Sequence, residues 1–331
     1  MKASPFKYRI GIPTYKRPDD LENCLNALVP QLRGRENVKL VVVNDASHDE
    51  EYERVLAPFD KLIEYRVQSV NSGPGLARSA AFADAVEDFL ICLDDDCIPP
   101  KNWFETVQAI VEANPEVDLI AGYVDPVWTD KPGFWDRLVA APMTYPGPAI
   151  SEQGLITAVT ANALYRREAY ENAGGFDPNI TGATEDCCMT QRIINSGGCY
   201  LICESWRMGH KARQTLGKIR RTYYGYGYGG AQAVLEAKVW KLAEISSCGT
   251  LIDSCKTVIK RIDYIRRTEG AEDKPVYMKF VHGLVTLIAF VEYERGWLKG
   301  LRAYGYKDEN SIPKRAGLLD RFAIDLRNHR V

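Results

Sequence analysis

Hydrophobic and polar positions follow two alternating rhythms over the first hundred residues. "YRIGIP" (8–13) is a short apolar run that predicts a strand. Leu21, Cys24, Leu25, Leu28, Val29 and Leu32 then recur at three- and four-residue spacing, the mark of one buried helix face, with Asp19 or Asp20 expected to cap it. "VKLVVVND" (38–45) is nearly continuous and β-branched, which predicts a strand covered on both faces. A helical pattern from about Glu50, the strand "IEYRVQS", the turn "NSGPG", an alanine-rich helix over 76–86 and the strand "FLICLD" follow. Strands alternating with helices in this way predict an α/β fold with a doubly wound, mostly parallel sheet. Ligands of such sheets gather beyond the carboxyl ends of the strands.

From Lys101 to about Cys203 the rhythm is mixed: a helix "NWFETVQAIVEA", a strand "VDLIAGYV", an aromatic and proline-rich loop, then "GLITAVTANALYRREAYENAGGFD". The same sheet is expected to continue there and to build a second half-site. After His210 the character changes, and 231–268 and 276–327 read as helical. The apolar stretch from Phe280 to Val291 contains His282 and Gly283 and falls well short of the roughly 20 residues a membrane-spanning helix needs. The tyrosine- and glycine-rich run from Tyr223 to Gly230 is expected to be a hinge between a lid and the following helix.

Composition narrows this only a little. The formal net charge of −2 over 331 residues argues against wholesale nucleic-acid binding. The nine cysteines are odd in number and scattered without CxxC pairs, and "MKASPFKYRI" lacks the apolar core of a secretory signal; a reduced, cytoplasmic chain is expected. Between Ser205 and Glu269, Lys and Arg outnumber Asp and Glu by thirteen to five. With the apolar stretch that follows, this predicts at most a peripheral contact with an anionic membrane surface, which co-sedimentation with anionic liposomes tests.

Candidate chemistry sits at the predicted strand ends. "ICLDDDCIPP" places Asp94, Asp95 and Asp96 in a row behind an apolar run, an arrangement whose mutual repulsion a hard divalent cation would cancel. Asn44 and Asp45 follow the second strand, and Asn71 to Gly75 the third. A second carboxylate pair, Glu185 and Asp186 in "GATEDCC", stands before a helical pattern, where it would suit either the helix dipole or acid–base work.

The segments "IGIPTYKRPDDLENCLNAL", "VVVNDASHDE", "NSGPGLARSAAFADA", "ICLDDDCIPPKNWFE", "ALYRREAYENAGGFD" and "GATEDCCMTQRI", in that order, resemble the successive motifs of the glycosyltransferase family 2 proteins, which have the GT-A fold. The resemblance covers residues 8 to 230. It implies an inverting enzyme that moves a sugar from a nucleotide diphosphate sugar, usually UDP-linked, to an acceptor hydroxyl in polysaccharide or glycan assembly. It also implies a divalent cation, Mg²⁺ or Mn²⁺, and an acceptor that is a glycan or is lipid-linked. On this reading 1–100 form the nucleotide-sugar-binding half, 101–230 the acceptor-binding and catalytic half, and 231–331 a helical region. Pro13, Thr14, Arg17, Asp45, Gly73, Arg78, Asp94 and Asp95 match nucleotide-binding positions. Asp96 and His210 match metal ligands. Asp186 matches the general base, with Glu185 assisting. Asn162, Trp128 and Trp135 are candidates for sugar contact, and Lys211 and Arg213 for the diphosphate. Where family members commonly carry a further acidic residue after the Glu-Asp pair, this chain has Cys188.

A sugar-phosphate nucleotidylyltransferase would need a glycine-rich phosphate loop straight after the first strand, which "GIPTYKRPDD" does not supply. A binding protein without turnover would have little use for the complete acidic set.

Overall fold

A computed structural model describes residues 5–47, 50–59, 61–127, 149–150, 156–180, 183–211, 215–235 and 276–303. The chain divides into two compact units. The first comprises Met1–Val127, Thr157–Thr181 and Asp186–Lys211, the second Trp128–Ile156, Gly182–Glu185 and Ala212–Val331.

The first unit is built on an eight-stranded sheet. Its strands are β1 (Tyr8–Thr14), β2 (Val38–Asn44), β3 (Ile63–Val67), β4 (Phe89–Cys92), β5 (Cys97–Ile98), β6 (Leu119–Val127), β7 (Ala163–Arg166) and β8 (Tyr200–Lys211). Across the sheet they run β3-β2-β1-β4-β7-β6-β8-β5. The first four in this order are mutually parallel, and β6 is parallel to β8. β7 is antiparallel to both β4 and β6, so β4, β6 and β8 share one direction; the two-residue β5 closes the edge antiparallel to β8. The expected mostly parallel α/β sheet is what forms. Its central strands are buried along their length because helices cover both faces: every residue of β1 is buried, as are Leu40–Asn44 of β2.

Helix α1 (Pro18–Leu32) buries the stripe that the periodicity marked, Leu21, Cys24, Leu25, Leu28, Val29 and Leu32. Its start differs from the expectation. Arg17 stands at the N-cap with no side-chain cap, Pro18 pre-sets the first turn, and Asp19 and Asp20 lie inside that turn. Helix α2 spans Glu51–Leu56, α3 Pro74–Phe82, α4 Trp103–Ala113, α5 Arg167–Asn172 and α6 Glu185–Asn195. Ala77, Ala81 and Phe82 of α3, with Met189 and Ile193 of α6, pack with Leu90, Cys92, Leu119, Ala121, Ala163 and Tyr165 in one apolar cluster. Gly11 on β1 allows α3 to come this close, since a Cβ there would meet the Phe82 ring at 2.8 Å.

In the second unit the described helices are α7 (Leu216–Leu235) and α8 (Val276–Ala303). Tyr223 to Gly230 lie inside α7, so this run is helical rather than a hinge. The glycines are there for packing. A Cβ on Gly227 would land on the Tyr293 carbonyl oxygen, and one on Gly296 on that of Tyr224. Backbone-to-backbone approach of two helices is available only where side chains are missing. No helix among the described residues is long and apolar enough to cross a membrane.

Candidate active site

The direction of the strands decides where the polar residues collect. Thr14 ends β1, Asp45 follows β2, the acidic triplet follows β4 and His210 lies near the end of β8. All four therefore lie toward the carboxyl edge of parallel strands. Helix α6 returns to the start of β8 through four residues, 196–199, so its first turn, with Asp186, also lies toward that edge.

Each acid of the triplet has its own partner. Asp94, a quarter exposed, is paired with the buried guanidinium of Arg78 from the second turn of α3. Asp95 Oδ2 accepts a hydrogen bond from Thr14 Oγ1 at 2.9 Å, and its Oδ1 accepts one from Arg17 Nη1 at 3.1 Å. The same Arg17 nitrogen reaches Asp96 Oδ2 at 2.8 Å. Burial pushes the Asp95 carboxyl up to about 7; Asp96 and Asp94 act in the same sense, against Arg17 and the Thr14 hydroxyl.

His210 reaches Asp96 through the ladder that pairs it with Cys97 on β5. Its Nε2 lies 3.1 Å from Asp96 Oδ1, and the backbone N–H of Lys211 donates to the Asp96 carbonyl at 2.9 Å. Burial disfavours the imidazolium, yet the Asp96 carboxylate outweighs it and holds the His210 pKa at about 9. Nδ1 of the same ring sits 3.0 Å from the Lys211 carbonyl. In the neutral ring with Nδ1–H donating to that carbonyl, the Nε2 lone pair faces Asp96, the orientation a metal-ligating histidine needs.

Asp96, Cys97 and His210 offer ligand atoms within 4.8 Å of one another. Burial, reinforced by Asp94 and Asp96, pushes the Cys97 thiol well up, so it keeps its proton. The remaining donors are a carboxylate and an imidazole, a pair able to bind a divalent first-row cation such as Mn²⁺ with further positions left for a ligand's oxygens. The residues fit such a cation.

Other expected residues have more specific placements. Asp45 is buried, and its carboxylate accepts from the backbone N–H groups of Ser72 and Gly73, both at 2.8 Å, and from Ser72 Oγ at 3.0 Å. It thereby ties the end of β2 to the turn before α3, where Gly73 takes a φ of 87° that favours glycine. Pro13 is buried opposite Val43. Lys211 Nζ is paired with Asp20 Oδ1 at 2.6 Å. Asn162 is fully buried: its amide accepts from Trp103 Nε1 at 2.9 Å and donates to the carbonyls of Trp206 and Tyr123 at 2.9 and 3.1 Å. Those bonds make it a brace between α4, β6 and β8, with both donors spent inside the protein. Glu185 is buried at the head of α6, and Asp186 Oδ1 accepts from the Cys187 N–H at 2.7 Å. Burial pushes the Tyr165 hydroxyl well up; Asp186 acts in the same sense and Arg78 against it. Trp128, Trp135 and Arg213 lie outside the described residues.

Tyr52 also belongs to this edge. Its hydroxyl bonds Thr14 Oγ1 at 2.9 Å and accepts from the Arg17 N–H at 3.0 Å, tying α2 to the end of β1. No motif marks it; only its place one residue into a helix facing the sheet does.

The curled α/β sheet, with acidic residues and a histidine toward its carboxyl edge, has the GT-A fold. The sequence profile of Glycosyl transferase family 2 matches residues 9–174, and the chain belongs to that family. It is therefore a glycosyltransferase. It is 25% identical over 237 residues to the glycosyltransferase AglE of Haloferax volcanii, covering 71% of this chain and 74% of that protein. It is 27% identical over 158 residues to the glucosyl-dolichyl phosphate glucuronosyltransferase of the same organism, covering 46% and 49% respectively. The fold resembles that of a mannosyltransferase from Pyrobaculum calidifontis solved with GDP-mannose and Mn²⁺, with a TM-score of 0.50 and 17% identity over 98% of this chain and 88% of that one.

Proposed function

We propose that this enzyme is an inverting transferase that moves a sugar from a nucleotide diphosphate donor, UDP-linked in the first instance, to an acceptor hydroxyl. The observation that carries the reading is the meeting of Asp96 and His210, far apart in sequence and joined by the pairing of β5 with β8, at 3.1 Å beside two further acids. Asp96 and His210 would hold the divalent cation. When bound, the cation supplies charge neutralisation to the departing diphosphate. The complex of the Pyrobaculum mannosyltransferase with Mn²⁺ and a nucleotide sugar supports this choice of group. Arg17 and Arg78 bring permanent positive charge to the same edge, which suits a diphosphate. Thr14 and Asp94 line the nucleotide's path, and Asp45 shapes that pocket by pinning the turn at Gly73.

Asp186 is the general base. An acceptor hydroxyl attacking the anomeric carbon must lose its proton as the new bond forms. A carboxylate on the opposite side of the sugar from the diphosphate takes that proton, and direct displacement inverts the anomeric centre without a covalent sugar–enzyme intermediate. Glu185, beside it, helps to orient the acceptor. The glucuronosyltransferase relative acts, by its name, on a glucosyl-dolichyl phosphate, which supports a lipid-linked acceptor here.

Asp186→Asn tests this. Removing the proton acceptor lowers kcat by about 10²–10⁴-fold, the usual contribution of a general base. The rise in melting temperature given by Mn²⁺ with UDP persists, because the donor side is untouched. Turnover equal to that of the parent enzyme would refute the assignment.

A further inference from the structure

The proposed cation site contains a competitor for the cation. Arg17 Nη1 lies against Asp96 Oδ2 at 2.8 Å and Asp95 Oδ1 at 3.1 Å, while the other oxygen of Asp96 faces His210. A guanidinium never gives up its charge, so it and a divalent cation draw on the same carboxylates and repel each other there.

Arg17 is anchored by its backbone, and its side chain is left with reach. The N–H is bonded to Tyr52, the carbonyl accepts from the Leu21 N–H at 3.1 Å, and Lys16 before it holds a φ of 54°, a left-handed conformation uncommon for lysine. Such a strained position persists only where its surroundings impose it. The side chain, by contrast, is half exposed. The guanidinium can therefore swing off Asp96 on its flexible stem while α1 stays in place.

We infer that Arg17 couples the cation to the donor's diphosphate. Its guanidinium holds down the affinity for a divalent cation until an anionic diphosphate draws it away, so that cation and diphosphate bind cooperatively. This rests on Asp96 and His210 being the cation ligands. It assigns to Arg17 control over the order of loading.

Titration of the protein with Mn²⁺ alone, with free Mn²⁺ read by electron paramagnetic resonance, tests the competition. Arg17→Met and the second neutral variant Arg17→Gln should bind Mn²⁺ about tenfold tighter than the parent, within the usual range of coupling between sites. Arg17→Lys, which keeps a positive charge, should stay near the parent. Inorganic pyrophosphate should tighten Mn²⁺ binding in the parent by a factor about tenfold larger than in Arg17→Met. Binding no tighter in either neutral variant, or an equal pyrophosphate factor, overturns the inference. Asp96→Asn separates the two layers. If it binds Mn²⁺ as the parent does, the cation site fails and this proposal with it; if it binds weakly while Arg17→Met matches the parent, only the role of Arg17 is lost.

Discussion

Tyr52 organises the donor edge through residues other than itself. One hydroxyl holds the Thr14 side chain that bonds Asp95, and it satisfies the N–H of Arg17. Tyr52→Phe removes both bonds and leaves a half-buried donor without its partner, a loss of about 2 kcal/mol. Urea unfolding should show that loss; a variant as stable as the parent would mean that Thr14 and Arg17 hold their places without it. The acidic triplet and Asp45 were legible in the sequence as carboxylates at predicted strand ends, and Arg78 and His210 were marked by the family resemblance. Tyr52 was not, since any buried tyrosine looks alike until its neighbours are known. Asn162 shows the opposite case. A polar residue in a promising segment turned inward, because α4, β6 and β8 needed one side chain able to satisfy two carbonyls and an indole N–H.

At the scale of elements, periodicity located α1, α4 and the first four strands, whose apolar positions face a core directly. It did less well with α7. Glycine and tyrosine in alternation suggested a hinge, yet the glycines serve contact with α8. Gly227→Ala should destabilise the protein by about 3 kcal/mol, because the added methyl overlaps the Tyr293 carbonyl and forces the helices apart. Gly225 has no atom within 4 Å of where its Cβ would stand, so Gly225→Ala should gain about 0.5–1 kcal/mol of helix stability. Unfolding followed by circular dichroism distinguishes them; equal stabilities would contradict the close packing. Local propensity disfavours both glycines alike, so the difference lies entirely in the partner helix, which one helix's sequence does not reveal.

For the whole molecule, strand direction turns scattered motifs into one edge. Alternating strand and helix patterns made the parallel sheet legible, and with it the edge to which Thr14, Asp45 and the triplet belong. The antiparallel β7 between β4 and β6, and the two-residue β5 that brings Cys97 beside His210, were not legible, because such short strands owe their pairing to distant partners. His210 thus reaches Asp96 by a register that only the assembled sheet sets. These two residues are proposed to hold a divalent cation facing the donor's diphosphate, with Asp186 on the opposite side of the sugar. Anomalous diffraction from crystals grown with Mn²⁺ and UDP tests it most directly. One manganese peak is expected within bonding distance of Asp96 and His210 Nε2, in contact with the diphosphate, with the Asp186 carboxylate on the far side of the sugar position. A peak elsewhere, or a diphosphate bound away from these residues, would contradict it.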